Sequence, residues 1–523
     1  MPKPKNTILQ LKMLWYVVFL LAMSLNVHAG NEEIVSLFTS AVSGNLTSDD
    51  AVFGVAMSDS QQEVIINLIP LKSEIEAYEK VRMDFLGHSI VVRRTAFLRG
   101  LKESVTWIGK PEDREGSIIM SVCGDALFGQ IELKDEVYKI VPVRGANTHR
   151  VFKLDPEKAA PIDDVGSIPH YDKLNDKEIK DSSSSEKRDD GSVFDVLVLY
   201  TNGFAEAYPG DELIAQISYL AGVANASYVN SEIGLTARVV GIEEVDYEDS
   251  GTTADALSDL TYGSGVFSDV ADLRNRLGAD LVVLLRVYTS GNDVCGRAWQ
   301  MTSLSSSFEN WAFSVVQVGE ISSGSGSWYS YSYCSDQTLA HEMGHNMGCG
   351  HADAYSTTGV FEYSYGYCFY PYRSVMATCN GTRVNYFSNP DVSYEGFATG
   401  TDNANNARSI NKVKLTVSQF RDSKCLGSIT ISPKELTLDR QEVSEVTVTV
   451  TVTGEYDSPS EGETVNATVN KAGRKQVSVS PSSGITDFNG QAAFTITARK
   501  KKGTAKVKFK EGCLKKSMTV KVN

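Results

Sequence analysis

His341 and His345 stand four residues apart, and His351 follows three residues after Gly348; these three are the only histidines beyond residue 190 in a chain that has seven. Imidazoles at i and i+4 lie one turn apart on one helical face, so the run His341-Glu342-Met343-Gly344-His345 predicts a helix that offers both rings to a single metal ion. Continued as helix, the chain would carry His351 to another face. Gly348 resolves this, because glycine adopts the positive φ that ends a helix and reverses the chain. His351 then returns as the third ligand. Glu342, beside the pair, is placed to act as general base and acid. The spacing H-E-x-x-H-x-x-G-x-x-H therefore demands a helix, a tight turn and a return, and predicts one Zn2+ on three neutral imidazoles.

Around this motif the chain divides into four stretches. Lys3, Lys5 and Lys12 precede an apolar run at 13–25, with Val27 and Ala29 as the small flanking residues, which predicts a secretory signal peptide over residues 1–29. That run is too short to cross a bilayer as a helix, which takes about 20 residues. Residues 30–190 read as a mixed α/β propeptide with short antiparallel strands at 116–123, 128–133 and 136–141. It ends in an exposed Asp-, Lys- and Ser-rich linker from 172, where proteolytic nicking concentrates. Residues 191–425 alternate: strand at 194–200, helix at 211–230, strand at 235–242, helix at 268–277, strand at 280–287, closing helix at 403–420. This predicts an α/β (α+β) domain carrying the histidine helix. Residues 426–523 open on the strict alternation of 445–453 and continue in shorter alternating pieces, predicting an all-β sandwich.

The extended motif resembles that of the metzincin zinc proteases. Ser374-Val375-Met376-Ala377-Thr378, 25 residues beyond His351, matches the methionine turn that lies beneath the metal in that family. Within the family the chain resembles the reprolysin/adamalysin-like group, including bacterial peptidyl-Asp metalloendopeptidases. The resemblance spans residues 194–422 and rests also on Cys295-Gly-Arg-Ala-Trp299, Thr338-Leu-Ala-His341, Tyr386-Phe-Ser-Asn-Pro390 and Asp402-Asn-Ala-Asn-Asn-Ala407. Two positions depart: Ala352 precedes Asp353, and Thr378 stands where astacins and serralysins carry a tyrosine ligand. The resemblance implies a secreted metalloendopeptidase made as a zymogen. Zinc would sit on His341, His345 and His351, Glu342 would be the catalytic base and acid, and Gly348 and Met376 would support the site. It also implies substrate held extended along an edge strand near 298–303, and hints at cleavage beside acidic residues. Against that hint, the 191–425 stretch has 26 Asp+Glu and 12 Lys+Arg. No residue pattern assigns a calcium site.

By position, the favoured disulfides are Cys295–Cys334, Cys368–Cys379 and Cys425–Cys513, leaving Cys349, which could displace Cys368 or Cys379; spacing alone does not fix connectivity. Cys123 is the one cysteine of the propeptide stretch. It reads either as a thiolate switch filling the open zinc position or as a small buried strand residue. The tail resembles bacterial immunoglobulin-like modules of the invasin type, through 477–481, 484–487 and 489–494. It holds 15 Lys+Arg against 10 Asp+Glu in a chain of net charge −15. That overall balance excludes a general nucleic-acid binder. The tail's basic residues Arg499-Lys-Lys-Lys502, Lys506, Lys508 and Lys510 suit anionic surface polymers or membranes, or else are solvated edge-strand lysines that block aggregation. The partners expected are protein or peptide substrates. The competing reading is a surface adhesin with proteolysis secondary.

Overall fold

The computed structural model describes residues 34–523 except 41–59, 73–77, 135, 161, 163–166, 170–189, 290, 293, 324–329, 353–358, 425–426, 441–443, 455–458, 461, 488 and 513. The expected signal peptide, most of the expected linker and both cysteines of the expected Cys425–Cys513 pair lie outside the described residues.

Val193–Thr201, Thr236–Val245, Leu281–Val287 and Phe313–Val318 are parallel strands, and Gly296–Ala298 adds an antiparallel edge. Runs such as Leu281-Val-Val-Leu-Leu285 are buried throughout because helices cover both faces of the sheet. On one face lie Thr253–Tyr262 and Val270–Leu277, the first capped by Thr252 and closed by left-handed Gly263. The other face receives the long helix Asp211–Asn230 and the histidine-bearing helix Thr338–Asn346. Asn406–Val417 closes the domain.

The N-terminal stretch differs from the expected mixture. Its described residues form a ten-stranded sheet with short 3-10 turns and no α-helix. Two central strands, Gly116–Cys123 and Ala126–Leu133, are buried along their whole length. Alternation accounts for this. Ile118, Met120, Val122, Leu127 and Ile131 turn to the sheet's own core around Trp107, whereas Ile119, Cys123 and Phe128 turn to the helix Asp211–Asn230 and join the core beneath the parallel sheet. The helix is consequently covered on two sides, and 16 of its 20 residues are buried. Gly222 marks the close approach: a Cβ there would meet the Thr106 methyl at 2.6 Å.

Polar groups cross the same boundary. Lys139 Nζ meets Asp336 Oδ1 at 2.9 Å, Tyr219 Oη donates to Gln130 Oε1 at 3.3 Å, and the Asn385 amide donates to Glu132 Oε2 at 3.4 Å. Burial pushes the Glu132 carboxyl up to about 8, against the opposing pull of that amide, Tyr394 and Lys110.

Residues 428–523 form a four-stranded and a five-stranded sheet around one apolar core. The lysine-bearing strands Gly503–Glu511 and Leu514–Val522 are the middle and second members of the five-stranded sheet, so the edge-strand reading of Lys506, Lys508 and Lys510 is corrected.

Candidate active site

The helix Thr338–Asn346 forms as the motif requires. His341 and His345 project from one face, and Gly348 takes φ of +79°. Its amide donates to His345 O at 2.9 Å and that of Cys349 to Gly344 O at 2.9 Å, so the chain turns back and delivers His351. The ligand atoms of His341, His345 and His351 all lie within 4.8 Å of one another, and all three residues are buried.

The ring orientations test the fit to a metal. His341 Nδ1 lies 2.9 Å from Val375 O, and His345 Nδ1 lies 2.8 Å from Cys349 O. A carbonyl only accepts, so each Nδ1 carries the proton and each Nε2 presents a lone pair. Those Nε2 atoms both stand 3.1 Å from Nε2 of His351. Converging lone pairs repel unless a cation lies between them. Tetrahedral ligands about 2.0–2.1 Å from one zinc would be about 3.3 Å apart, so the residues fit the ion.

Met376 sits beneath the helix. A Cβ on Gly344 would meet its sulfur at 2.5 Å, and one on Gly366 would meet its backbone at 2.7 Å. Gly344, inside the motif, is therefore a packing requirement that spacing alone did not disclose. Glu342 is fully buried, and its Oε1 would lie 2.4 Å from a Cβ on Gly296. Glycine at 296 thus lets the edge strand press against the carboxylate. That strand is Gly296–Ala298, earlier in the chain than the 298–303 expected, because the Met301 amide leaves to bond His345 O at 3.1 Å. Asn346 fastens the two together, donating to Trp299 O at 2.8 Å.

Cys295–Cys334 joins the edge strand to the entry of the helix, and Cys368–Cys379 closes the loop around the methionine turn. Cys349 stays a buried thiol, which burial pushes far up from its ordinary value. Cys123 is not brought to the histidines. It packs at the end of its strand with Sγ 3.6 Å from Lys102 O, and burial, aided by Asp211, raises its thiol to about 11. The thiolate a switch would need is disfavoured there, and the buried-strand reading replaces the switch.

Residues 190–388 match the model described as metallo-peptidase family M12. The chain is 30% identical over 324 residues to the peptidyl-Asp metalloendopeptidase of Stenotrophomonas maltophilia strain K279a, covering 59% of this chain and 72% of that protein. It is 27% identical to the protein of the same name from Xanthomonas campestris pv. campestris, over 59% of this chain and 71% of that one. A third, from Pseudomonas aeruginosa, is 27% identical over 45% of this chain and 41% of its own length. With its histidine triad and this coverage, the chain belongs to metallopeptidase family M12 as a metalloendopeptidase.

Proposed function

We propose a secreted zinc endopeptidase, made as a zymogen, that cuts protein chains beside aspartate. The observation that carries the zinc is the convergence of three imidazoles, two of them fixed in tautomer by carbonyls. When bound, zinc polarises the scissile carbonyl and makes water a nucleophile near neutral pH. Glu342, held between the two helical ligands, takes the proton of the attacking water and passes it to the leaving amine. The outward amides and carbonyls of the edge strand hold the substrate extended. Aspartate is carried over from the activity named for the relatives. The two disulfides suit an oxidising compartment. No helix among the described residues is long and apolar enough to cross a membrane. Processed protein should digest casein, lose activity to a zinc chelator and regain it with zinc. A zinc-loaded form that cuts nothing would leave the adhesin reading in its place.

Latency has support in the main chain rather than in a cysteine. Ala160 donates to Tyr333 O at 2.8 Å, and Gly296 donates to Ile162 O at 2.7 Å. Ser167 donates to Ala298 O at 3.2 Å, and Gln300 to Ser167 O at 2.8 Å. Residues Gly296, Ala298 and Gln300 thereby have their outward groups taken, the groups that a substrate backbone would use. Ser167 pairs with Trp299 in parallel sense. Ser167→Pro removes one donor and is expected to give premature casein hydrolysis by the uncut chain. Unchanged latency of the purified variant would count against this plug.

A second reading concerns the tail. Lys506, Lys508 and Lys510 stand exposed on one face of an interior strand, and Lys510 lies opposite Lys515 in register. Like charges directly opposed cost stability, and an interior strand needs no edge protection, so the row suits docking to a linear anionic polymer. Replacing Lys506, Lys508 and Lys510 by Ser in the full chain should abolish salt-sensitive retention on heparin. Equal retention would remove this reading.

A further inference from the structure

An acidic side chain needs a cation in the cleft, and the metal-binding domain has few to offer. Arg238 and Arg421 are held by Asp195 and Glu309. Arg297 lies on the edge strand, but its Nε donates to Thr253 at the start of the helix on the opposite face of the sheet from Glu342. Arg373 and Arg383 differ in their surroundings. They are direct neighbours in register on parallel strands Tyr372–Arg373 and Thr382–Arg383, so their side chains leave the same face. These strands flank the methionine turn. Arg383 donates to Ala377 O at 2.8 Å, two residues beyond the carbonyl that holds His341, and Arg373 donates to Cys379 O at 2.7 Å.

Two adjacent guanidiniums repel, and the cost rises with burial unless an anion bridges them. Arg383 is 8% exposed, and Arg373 Nε is buried with no hydrogen-bond partner among the described residues. Burial lowers the Arg373 guanidinium from its ordinary value, and Tyr333 acts in the opposite direction. Tyr333 in turn feels both arginines, and its carbonyl accepts from Ala160, where the N-terminal segment approaches the edge strand. Tyr333 thus links the main chain beside the edge strand to the field of both arginines.

We infer that Arg373 and Arg383 form the subsite that reads the substrate's aspartate, as a paired guanidinium clamp on a carboxylate beside the scissile bond. The inference rests on the proposed aspartate preference. It also explains how a domain with 26 Asp+Glu against 12 Lys+Arg accepts acidic substrates: selection comes from two placed cations, not from the overall field. An arginine pair can grip a carboxylate in bidentate fashion, which lysine cannot copy.

The test uses processed enzyme and two peptides that differ only in Asp or Asn at the cleavage position, with kcat/KM measured for each. Wild type should favour Asp by a large ratio. Arg373→Gln and Arg383→Gln should each lower that ratio about 100-fold, and Arg→Lys at either position should give an intermediate ratio. Zinc content by metal analysis identifies variants whose site is intact. Where Arg383→Gln fails to hold zinc, Arg373→Gln and the lysine variants decide. Zinc-replete variants that keep the wild-type Asp:Asn ratio overturn the subsite. A wild-type ratio near one overturns the aspartate reading itself, and this assignment with it.

Discussion

Glu342→Ala is expected to abolish casein hydrolysis to the level set by the fold alone, a loss of roughly 10³–10⁴ in kcat, while zinc stays bound at one per chain. The separation of the two readouts follows from the geometry. His341 and His345 take their orientation from Val375 O and Cys349 O, and neither contact involves Glu342. Removing the carboxylate therefore leaves the ligands in place and deletes the group that moves the proton. Glu342→Gln, nearly the same shape in the same buried space, should lose as much activity, since the amide can neither accept nor return a proton at neutral pH. A Glu342→Ala enzyme that keeps more than a tenth of wild-type kcat with full zinc would assign the proton transfer to another group.

What could be read from the residues was what short spacing dictates. The histidine helix, the reversal at Gly348 and the return of His351 all follow from periodicity and one positive φ, and they fall where the motif placed them. The helix at 211–230 has the expected ends because its apolar periodicity runs its full length. The strand Phe313–Val318 and the helix Thr253–Tyr262 are not among the elements that the spacing predicts. The strand is a short run between serine-rich loops, and the helix is mostly polar with only Ala256, Leu257 and Leu260 as its apolar anchors. Thr252 caps it and left-handed Gly263 ends it. Gly344 and Gly296 could not be weighed from sequence, since each is required by a residue distant in the chain, Met376 and Glu342. The same holds for the arginine pair, whose adjacency arises from the parallel register of two-residue strands. In the N-terminal sheet the strands expected at 116–123, 128–133 and 136–141 are present; what spacing could not show is that the first two are buried on both faces, against the sheet's own core and against the helix Asp211–Asn230.

That shared burial yields the largest structural effect expected. Residues 191–523 produced without the N-terminal stretch should fail to reach the native state, and residues 30–190 supplied as a separate chain should restore folding and zinc binding. The helix Asp211–Asn230 has no solvent face to fall back on. Ile214, Ile217, Leu220 and Val223 lie in one continuous core with Ile119, Phe128, Val141 and Phe152 of the N-terminal sheet. Each large side chain stripped of that cover loses about 1.5–3 kcal/mol of burial, and a few such losses consume the stability of an ordinary domain. Asp336, at the entry to the histidine helix, would lose Lys139, and Tyr219 would lose Gln130, so the damage reaches the metal site. Gly222 adds to the argument, for a glycine in mid-helix costs about 1 kcal/mol and is retained here to admit Thr106. The hold should also depend on pH. Glu132 is protonated in the interface up to about 8 and would ionise near its ordinary value once released, so retention is strongest in acid and declines as pH rises through that window. Circular dichroism and zinc content of the shortened chain, with and without the N-terminal fragment, measure the first effect. Fragment retention between pH 4 and 9, lost in its pH dependence with Glu132→Gln, measures the second. A shortened chain that folds alone and binds zinc would show the N-terminal sheet to be a cover and not a folding partner.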